Sequence, residues 1–186
     1  MRASWQRCLI GLAVAFCAPQ SAMAADNLTC ASALLTEQVR ADIYKAYRAN
    51  EDIGEKANGL IGKKIAACML MHDWSEEALE SAMRYLFGGV LEDGLVREFT
   101  GKRKVSFDLL MKATDRYFGA IPEDEIRKFA DGETSDDAVA QLIQFVLADG
   151  AVSPLEIQDD DVGRMIGEYA AARANVIYFR AAFARQ

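Results

Sequence analysis

The run from Cys68 to His72 contains the residue types that bind soft metal ions. Cys68 and His72 are four residues apart, which places both side chains on one face of a helix, and Met69 and Met71 add two thioethers. Thiolate and thioether sulfurs favour Cu(I). The run predicts a copper site at Met69, Met71 and His72, with Cys68 as a further ligand if its thiol is reduced. The competing interpretation is that these methionines fill the hydrophobic core.

Cys68 has a second use that excludes the first. The chain has four cysteines, and two of them, Cys8 and Cys17, belong to a predicted leader. The remaining pair, Cys30 and Cys68, matches neither a CxxC motif nor a zinc-binding spacing. We expect a structural disulfide between them, which stabilises the fold by about 3–4 kcal/mol in the chain-entropy model.

The first 24 residues have the composition of a secretory signal peptide. Arg2 and Arg7 form a basic segment, 11 apolar residues follow from Cys8 to Ala18, and Ala22 and Ala24 form an Ala-x-Ala cleavage site. The apolar run is too short to span a bilayer. The pattern predicts cleavage after the second of these alanines and export to the periplasm or the cell exterior.

The rest of the chain, residues 25–186, is predicted to be an acidic, all-helical exported domain. The leader contains two of the 21 basic residues and none of the 28 acidic residues, so residues 25–186 have a formal net charge of −9. This charge argues against general nucleic-acid binding, which needs clustered Lys and Arg. No stretch reaches 18 consecutive apolar residues, so we expect no membrane span.

The acidic residues are concentrated between residues 123 and 161. This segment has 12 acids against two bases, Arg127 and Lys128. Exposed acids would raise the rate of association with a basic protein partner. The competing interpretation is that they stabilise helix N-termini and pair with bases elsewhere on the surface. The candidate partner-binding residues are Asp136, Asp137, Asp159, Asp160 and Asp161.

The tract from Asp149 to Glu156 looks like the second half of a calcium-binding loop. A competent EF-hand also needs oxygen ligands at its first and third positions, which here are Phe145 and Leu147. We therefore predict a structural turn. It is followed by a capping box of Ser153 and Glu156, which opens a helix with an interruption near residues 159–161.

Helical spacing of apolar residues dominates the chain, and strand-like alternation is almost absent. The spacing predicts an all-α fold, a single compact domain of seven or eight helices. The first two helices are expected at about 28–49 and 52–72, and a surface loop is expected at 97–104. The later helices begin near Ser75, Ser106, Pro122, Ser135 and Ser153, and the one after Ser75 is expected to end or kink at Gly88-Gly89.

One short pattern occurs twice. Residues 90–96 and 146–152 both read Val-Leu-x-Asp-Gly-x-Val, and each copy follows a helix opened by a serine, two acids and an alanine. Two related helix–turn–helix halves would explain the repetition. Chance, together with the preference of helix ends for Asp-Gly turns, explains it equally well.

The sequence has no recognisable catalytic set and predicts no cofactor. It contains no Gly-x-Ser-x-Gly motif and no glycine-rich phosphate loop, and His72 is its one histidine. Our first hypothesis is a non-enzymatic exported protein that binds a protein partner, in an accessory, inhibitor or immunity-type role in the cell envelope. A soft-metal carrier is the second hypothesis, and a hydrolase of envelope polymers is the third.

Overall fold

The structure is a computed structural model that describes residues 27–100 and 105–186. This part of the chain is all-helical, as predicted, and forms a single compact domain without a β-strand. A short helical segment at 27–32 precedes seven longer helices. These are α1 (Glu37–Arg48), α2 (Ile53–Met71), α3 (Glu76–Phe99), α4 (Phe107–Phe118), α5 (Glu123–Asp131), α6 (Asp136–Ala148) and α7 (Asp160–Ala184), with a 3-10 turn at Glu156–Gln158.

Local sequence determines several helix ends. Ser75 and Ser135 cap α3 and α6 as predicted, since each side-chain oxygen accepts a hydrogen bond from the backbone N–H three residues later. Ser106 also precedes a helix, α4, but its side chain forms no cap hydrogen bond. α5 ends at Gly132, whose φ of 73° lies in the left-handed region that glycine adopts without steric cost.

The capping box of Ser153 and Glu156 is confirmed. The Ser153 N–H donates to the Glu156 carboxylate at 2.9 Å, and the Glu156 N–H donates to the Ser153 hydroxyl oxygen at 3.2 Å. The box opens only the 3-10 turn, and the predicted interruption follows it. Asp159 then caps α7, because its carboxylate accepts a hydrogen bond from the Asp161 N–H at 2.9 Å.

Two predicted helix boundaries are wrong. The first helix is not continuous over 28–49, because the chain turns at 33–36 and Thr36 caps a new helix, α1. The glycine pair Gly88-Gly89 does not end α3, which continues to Phe99 and so includes the first residues of the predicted 97–104 loop. Contacts with α7 and α1 account for Gly88 and Gly94 of this helix better than local helix propensity does.

Gly88 and Gly94 lie where other helices approach the backbone of α3. A Cβ atom at Gly88 would lie 2.8 Å from the carbonyl oxygen of Ala172 in α7, and a Cβ atom at Gly94 would overlap the ring of Tyr44 in α1. α3 and α7 pack against each other more extensively than any other pair of described helices. Because glycine has no side chain, α7 and Tyr44 can approach the backbone of α3 closely at these two positions while the helix stays continuous.

The repeated Val-Leu-x-Asp-Gly-x-Val pattern forms two different structures. The copy at 90–96 lies inside α3, whereas the copy at 146–152 spans the end of α6 and a turn in which Gly150 has a φ of 70°. The first copy therefore does not form a helix–turn–helix unit, so the structure gives no support to two related halves at this position.

The core has two apolar clusters joined by the long helices. One cluster is centred on α4–α7, and the other includes α2 and the first half of α3. The predicted disulfide is confirmed in the second cluster, where Cys30 of segment 27–32 is bonded to Cys68 of α2 with a Cα–Cα distance of 6.0 Å. No described helix combines the length and apolar character needed to cross a membrane.

Two predictions concern residues outside the described ranges. The signal peptide at 1–24 is one of them. The other is the basic end of the predicted surface loop, Lys102, Arg103 and Lys104.

Candidate partner-binding surface

The five candidate acids do not form one equivalent set. Asp159 caps α7, and Asp161 forms an ion pair with Arg164 at 3.1 Å. Asp136, Asp137 and Asp160 are exposed in the first turns of α6 and α7 and form no ion pair with any described residue. These three carboxylates remain available to a partner.

Several other acids of segment 123–161 are paired, as the competing interpretation predicts. They bind arginines from distant parts of the sequence and so complement charge across the surface. The pairs are Glu123 with Arg185 at 2.6 Å, Asp131 with Arg84 at 2.7 Å and Asp149 with Arg116 at 2.8 Å. The exposed acids of this segment that form no ion pair with a described residue are Asp124, Glu133, Asp136, Asp137 and Asp160, and the last three lie at the starts of α6 and α7.

An apolar groove of about 150 Å³ lies between α6 and the first half of α7, beside the end of α5. Aliphatic side chains of α6 line one side of it, and small residues with one isoleucine line the other side. The lining residues are Phe129, Gly132, Thr134, Val139, Leu142, Ile143, Gly163, Ile166, Gly167 and Ala171. The sequence analysis missed this groove.

The small residues of α7 keep the groove open. Gly163, Gly167 and Ala171 are spaced by four residues, which places them in one line along the helix. A Cβ atom at Gly163 or Gly167 would meet no atom within 4 Å. The described part of the chain therefore leaves unfilled the space beside these two glycines.

Two of the exposed acids lie in line with the groove. Asp136 precedes the lining residue Val139 by three positions, and Asp160 precedes Gly163 by three. Residues three apart share a helical face, so both acids continue the surfaces that line the groove. Asp137 lies one position away from this line and faces a different direction.

The two acids open the two helices that border the groove. Asp136 lies in the first turn of α6, two residues after the lining residue Thr134, and Asp160 lies in the first turn of α7. The Asn175 side-chain amide donates to the Ala130 carbonyl at 3.0 Å, which places the end of α5 beside the middle of α7. The segment of α7 that lines the groove is about 12 Å long at 1.5 Å per residue.

The predicted copper site loses one ligand. Cys68 is bonded to Cys30, so its thiol is not available to a metal. Met71 is 72% exposed, Met69 is half-buried against the core, and His72 stacks on Trp74 with 6.0 Å between ring centres. The described residues include no group of three or more His, Cys, Asp or Glu that could hold a metal. A site at Met69, Met71 and His72 stays a prediction.

A partly buried ion-pair network joins α3, α4 and α7. The Arg173 guanidinium donates to both carboxylate oxygens of Asp115, at 2.7 and 2.9 Å, and lies 3.4 Å from Glu92. The Tyr169 hydroxyl donates to Glu92 at 3.0 Å. Burial and the negative charge of Glu92 raise the pKa of Tyr169 above its ordinary value. Each charge has its partner within the network, so we assign it a structural role.

A second network attaches α1 to the central helices. The Arg48 guanidinium donates to Glu98 of α3 at 2.6 Å and to Glu168 of α7 at 2.9 Å. Burial lowers the pKa of Arg48, but hydrogen bonds with Glu98 and Tyr44 outweigh it, so the pKa is above its ordinary value. Glu98 and Glu168 lie 50 and 120 residues from Arg48 in the sequence, so no sequence spacing could have indicated these pairs.

Comparison of the chain with protein-family models, with curated proteins and with solved structures gave no match. The functional assignment therefore depends on the geometry and charge of the surface.

Proposed function

We propose that this is a non-enzymatic exported protein that acts by binding another protein, in an accessory, inhibitor or immunity-type role in the cell envelope. The observation that carries the proposal is the apolar groove between α6 and α7, with an exposed, unpaired carboxylate in the first turn of each of these two helices. Apolar surface with a polar rim is the usual composition of a protein-binding surface.

Export is supported by two independent features. Residues 1–24 have the three parts of a signal peptide, and cleavage after Ala24 would leave one cysteine pair. That pair is disulfide-bonded in the structure. Disulfides persist in oxidising compartments such as the periplasm and the cell exterior, which agrees with the proposed location.

The unpaired acids favour a basic partner. Asp136 and Asp160 place negative charge beside the groove, and a cationic surface would be attracted to it over about 10 Å at 0.1 M salt. Such attraction raises association rates and weakens as salt increases. The proposed complex should therefore form faster at low ionic strength.

Affinity purification tests the proposal. The tagged full-length chain is expressed in the cells that make the protein, isolated from the envelope fraction at low salt, and analysed by mass spectrometry. We expect an N-terminus at Ala25, no free thiol and a specific co-purified protein. Recovery of the untrimmed chain from the cytosol with two titratable thiols would overturn the export part.

Charge variants test the electrostatic part in the same purification. Asp136→Asn combined with Asp160→Asn should lower recovery of the partner severalfold at low salt, because both helices that border the groove lose an unpaired charge. Asp161→Asn is a matched control, since Asp161 already binds Arg164. Equal recovery of the partner with the unchanged protein, the double variant and Asp161→Asn would exclude recognition through Asp136 and Asp160.

A further inference from the structure

We infer that the groove between α6 and α7 receives one large apolar side chain of the partner, phenylalanine or leucine, from a helical segment with a basic residue on each side of that anchor. The inference rests on the proposed protein-binding function and specifies the partner's chemistry. Three observations support it: the volume of the groove, the glycines that line it and the positions of its two carboxylates.

The volume suits a side chain better than a small-molecule ligand. Ligand pockets usually enclose about 300–1,000 Å³, whereas this groove has about 150 Å³. An apolar cavity of about 150 Å³ lined by Leu, Ile and Phe is large enough for benzene. Leu142, Ile143, Ile166 and Phe129 provide a similar lining here. One phenyl or isobutyl group would fill the space.

The glycines of α7 are not needed by the fold around them. Glycine within a helix is less stable than alanine, so a helical glycine usually has a local reason. Gly88 has one, because Ala172 and Asn175 lie against it. Gly163 and Gly167 have open space where a side chain would be. A side chain at either position would narrow the groove, so these glycines preserve room for an incoming group.

The carboxylates specify the residues that flank the anchor. Asp136 and Asp160 each precede a lining residue, Val139 or Gly163, by three positions, and the α7 wall of the groove is about 12 Å long. A partner helix with lysines four residues before and four residues after the anchor separates them by a similar distance and places all three on one face. Glutamates at the same positions would be repelled.

Synthetic peptides test this arrangement. The probe is a fluorescent 15-residue helical peptide with the pattern Lys-x-x-x-Phe-x-x-x-Lys, and its binding to the exported, oxidised protein is measured by fluorescence anisotropy at low salt. A second peptide has alanine in place of phenylalanine, and a third has glutamate in place of both lysines. We expect each replacement to weaken binding at least tenfold.

Variants of the protein locate the contact. Gly167→Leu should weaken binding of the probe at least tenfold, since leucine would occupy the groove, while the melting temperature does not fall. Gly167→Ala, a smaller change, should weaken it about threefold. Asp136→Asn combined with Asp160→Asn should weaken binding three- to tenfold. Asp137→Asn, which keeps the groove acids, should change it less than twofold.

Each contrary result overturns the inference in a recognisable way. Absence of binding, equal binding of the three peptides, or unchanged binding by Gly167→Leu would show that the groove does not receive such a segment. Self-association that Gly167→Leu abolishes would assign the groove to a second copy of the chain. If a co-purified envelope protein still binds Gly167→Leu, the proposed function stands and only the docking surface is wrong.

Discussion

The two sides of α7 use glycine in opposite ways. On the side that faces α3, Gly88 of α3 allows the backbone near Ala172 and Asn175 to approach closely. On the side that faces α6, Gly163 and Gly167 of α7 leave open space. A helical glycine can therefore mark either a close contact between helices or an open space beside a helix. Only the positions of the neighbouring atoms distinguish the two cases.

The two sides of α7 also differ in how their charged side chains are paired. On the packed side, Arg173 links α7 to Asp115 and Glu92, so these three charges have partners within the protein. On the groove side, Asp136 and Asp160 form no ion pair with a described residue. We therefore interpret the packed side as the source of stability and the groove side as the surface that recognises a partner.

The disulfide should have the largest effect on stability and none on recognition. Reduction of Cys30–Cys68 should lower the free energy of unfolding by about 3–4 kcal/mol, because the unfolded chain regains the entropy of a 38-residue loop. Urea unfolding with and without dithiothreitol measures the change. Probe binding measured without urea should stay within twofold. Coincident unfolding curves would contradict the expected contribution.

A side chain at Gly88 should damage the packed side. Gly88→Ala places a methyl group 2.8 Å from the Ala172 carbonyl oxygen and from Asn175, so α3 and α7 must separate. We expect a loss of about 1–3 kcal/mol, measured by urea unfolding. Gly89→Ala is a matched control in the same helix, since a Cβ atom there would meet nothing within 4 Å. Equal stabilities of the two variants would remove the close-contact explanation.

The partly buried network around Tyr169 should make the free energy of unfolding decrease at alkaline pH. The pKa of Tyr169 is raised in the folded protein, so its neutral form contributes stability that is complete below pH 10 and declines as the pH rises above that value. Tyr169→Phe removes the hydrogen bond to Glu92 and should cost about 1 kcal/mol at pH 7. Melting temperatures from pH 7 to 11 should fall less steeply for the variant. Parallel curves for both proteins would oppose this assignment.

A glycine-to-alanine substitution on the groove side should change the free energy of unfolding in the direction opposite to Gly88→Ala. Gly167→Ala adds a methyl group to open space within a helix, so it should raise the free energy of unfolding by up to about 1 kcal/mol. The test is urea unfolding beside Gly88→Ala. A loss of stability at Gly167 would mean that the groove is closed in solution, which breaks the contrast between the two sides of α7.

Periodicity and capping residues predicted the all-α fold, and cysteine number predicted the disulfide. Periodicity and capping are local signals, and the disulfide required only a count of the cysteines outside the predicted leader. The wrong boundary at Gly88-Gly89 has a tertiary cause, because helix propensity does not include contact with α7. Residues 90–96 show the same limit, since an Asp-Gly pair that favours turns lies inside α3.

The acidic residues could be selected from the sequence only as a group. Their separation into a cap at Asp159, an ion pair at Asp161 and exposed carboxylates at Asp136, Asp137 and Asp160 depends on the folded chain. The groove had one sequence signal, small residues spaced by four in α7. That signal cannot show what lies opposite, and so it could not distinguish an open groove from a packed interface.

In vivo photo-crosslinking tests the assignment of recognition to the groove side of α7 most directly. A photoreactive phenylalanine analogue replaces the exposed Ala140 of α6, next to the lining residue Val139, in one variant and the exposed Lys64 of α2 in a control variant, in the cells that make the protein. We predict a covalent adduct with another envelope protein at position 140, lost when Asp136 and Asp160 are changed to Asn, and none at position 64. An adduct at position 64 with none at position 140 would contradict the account.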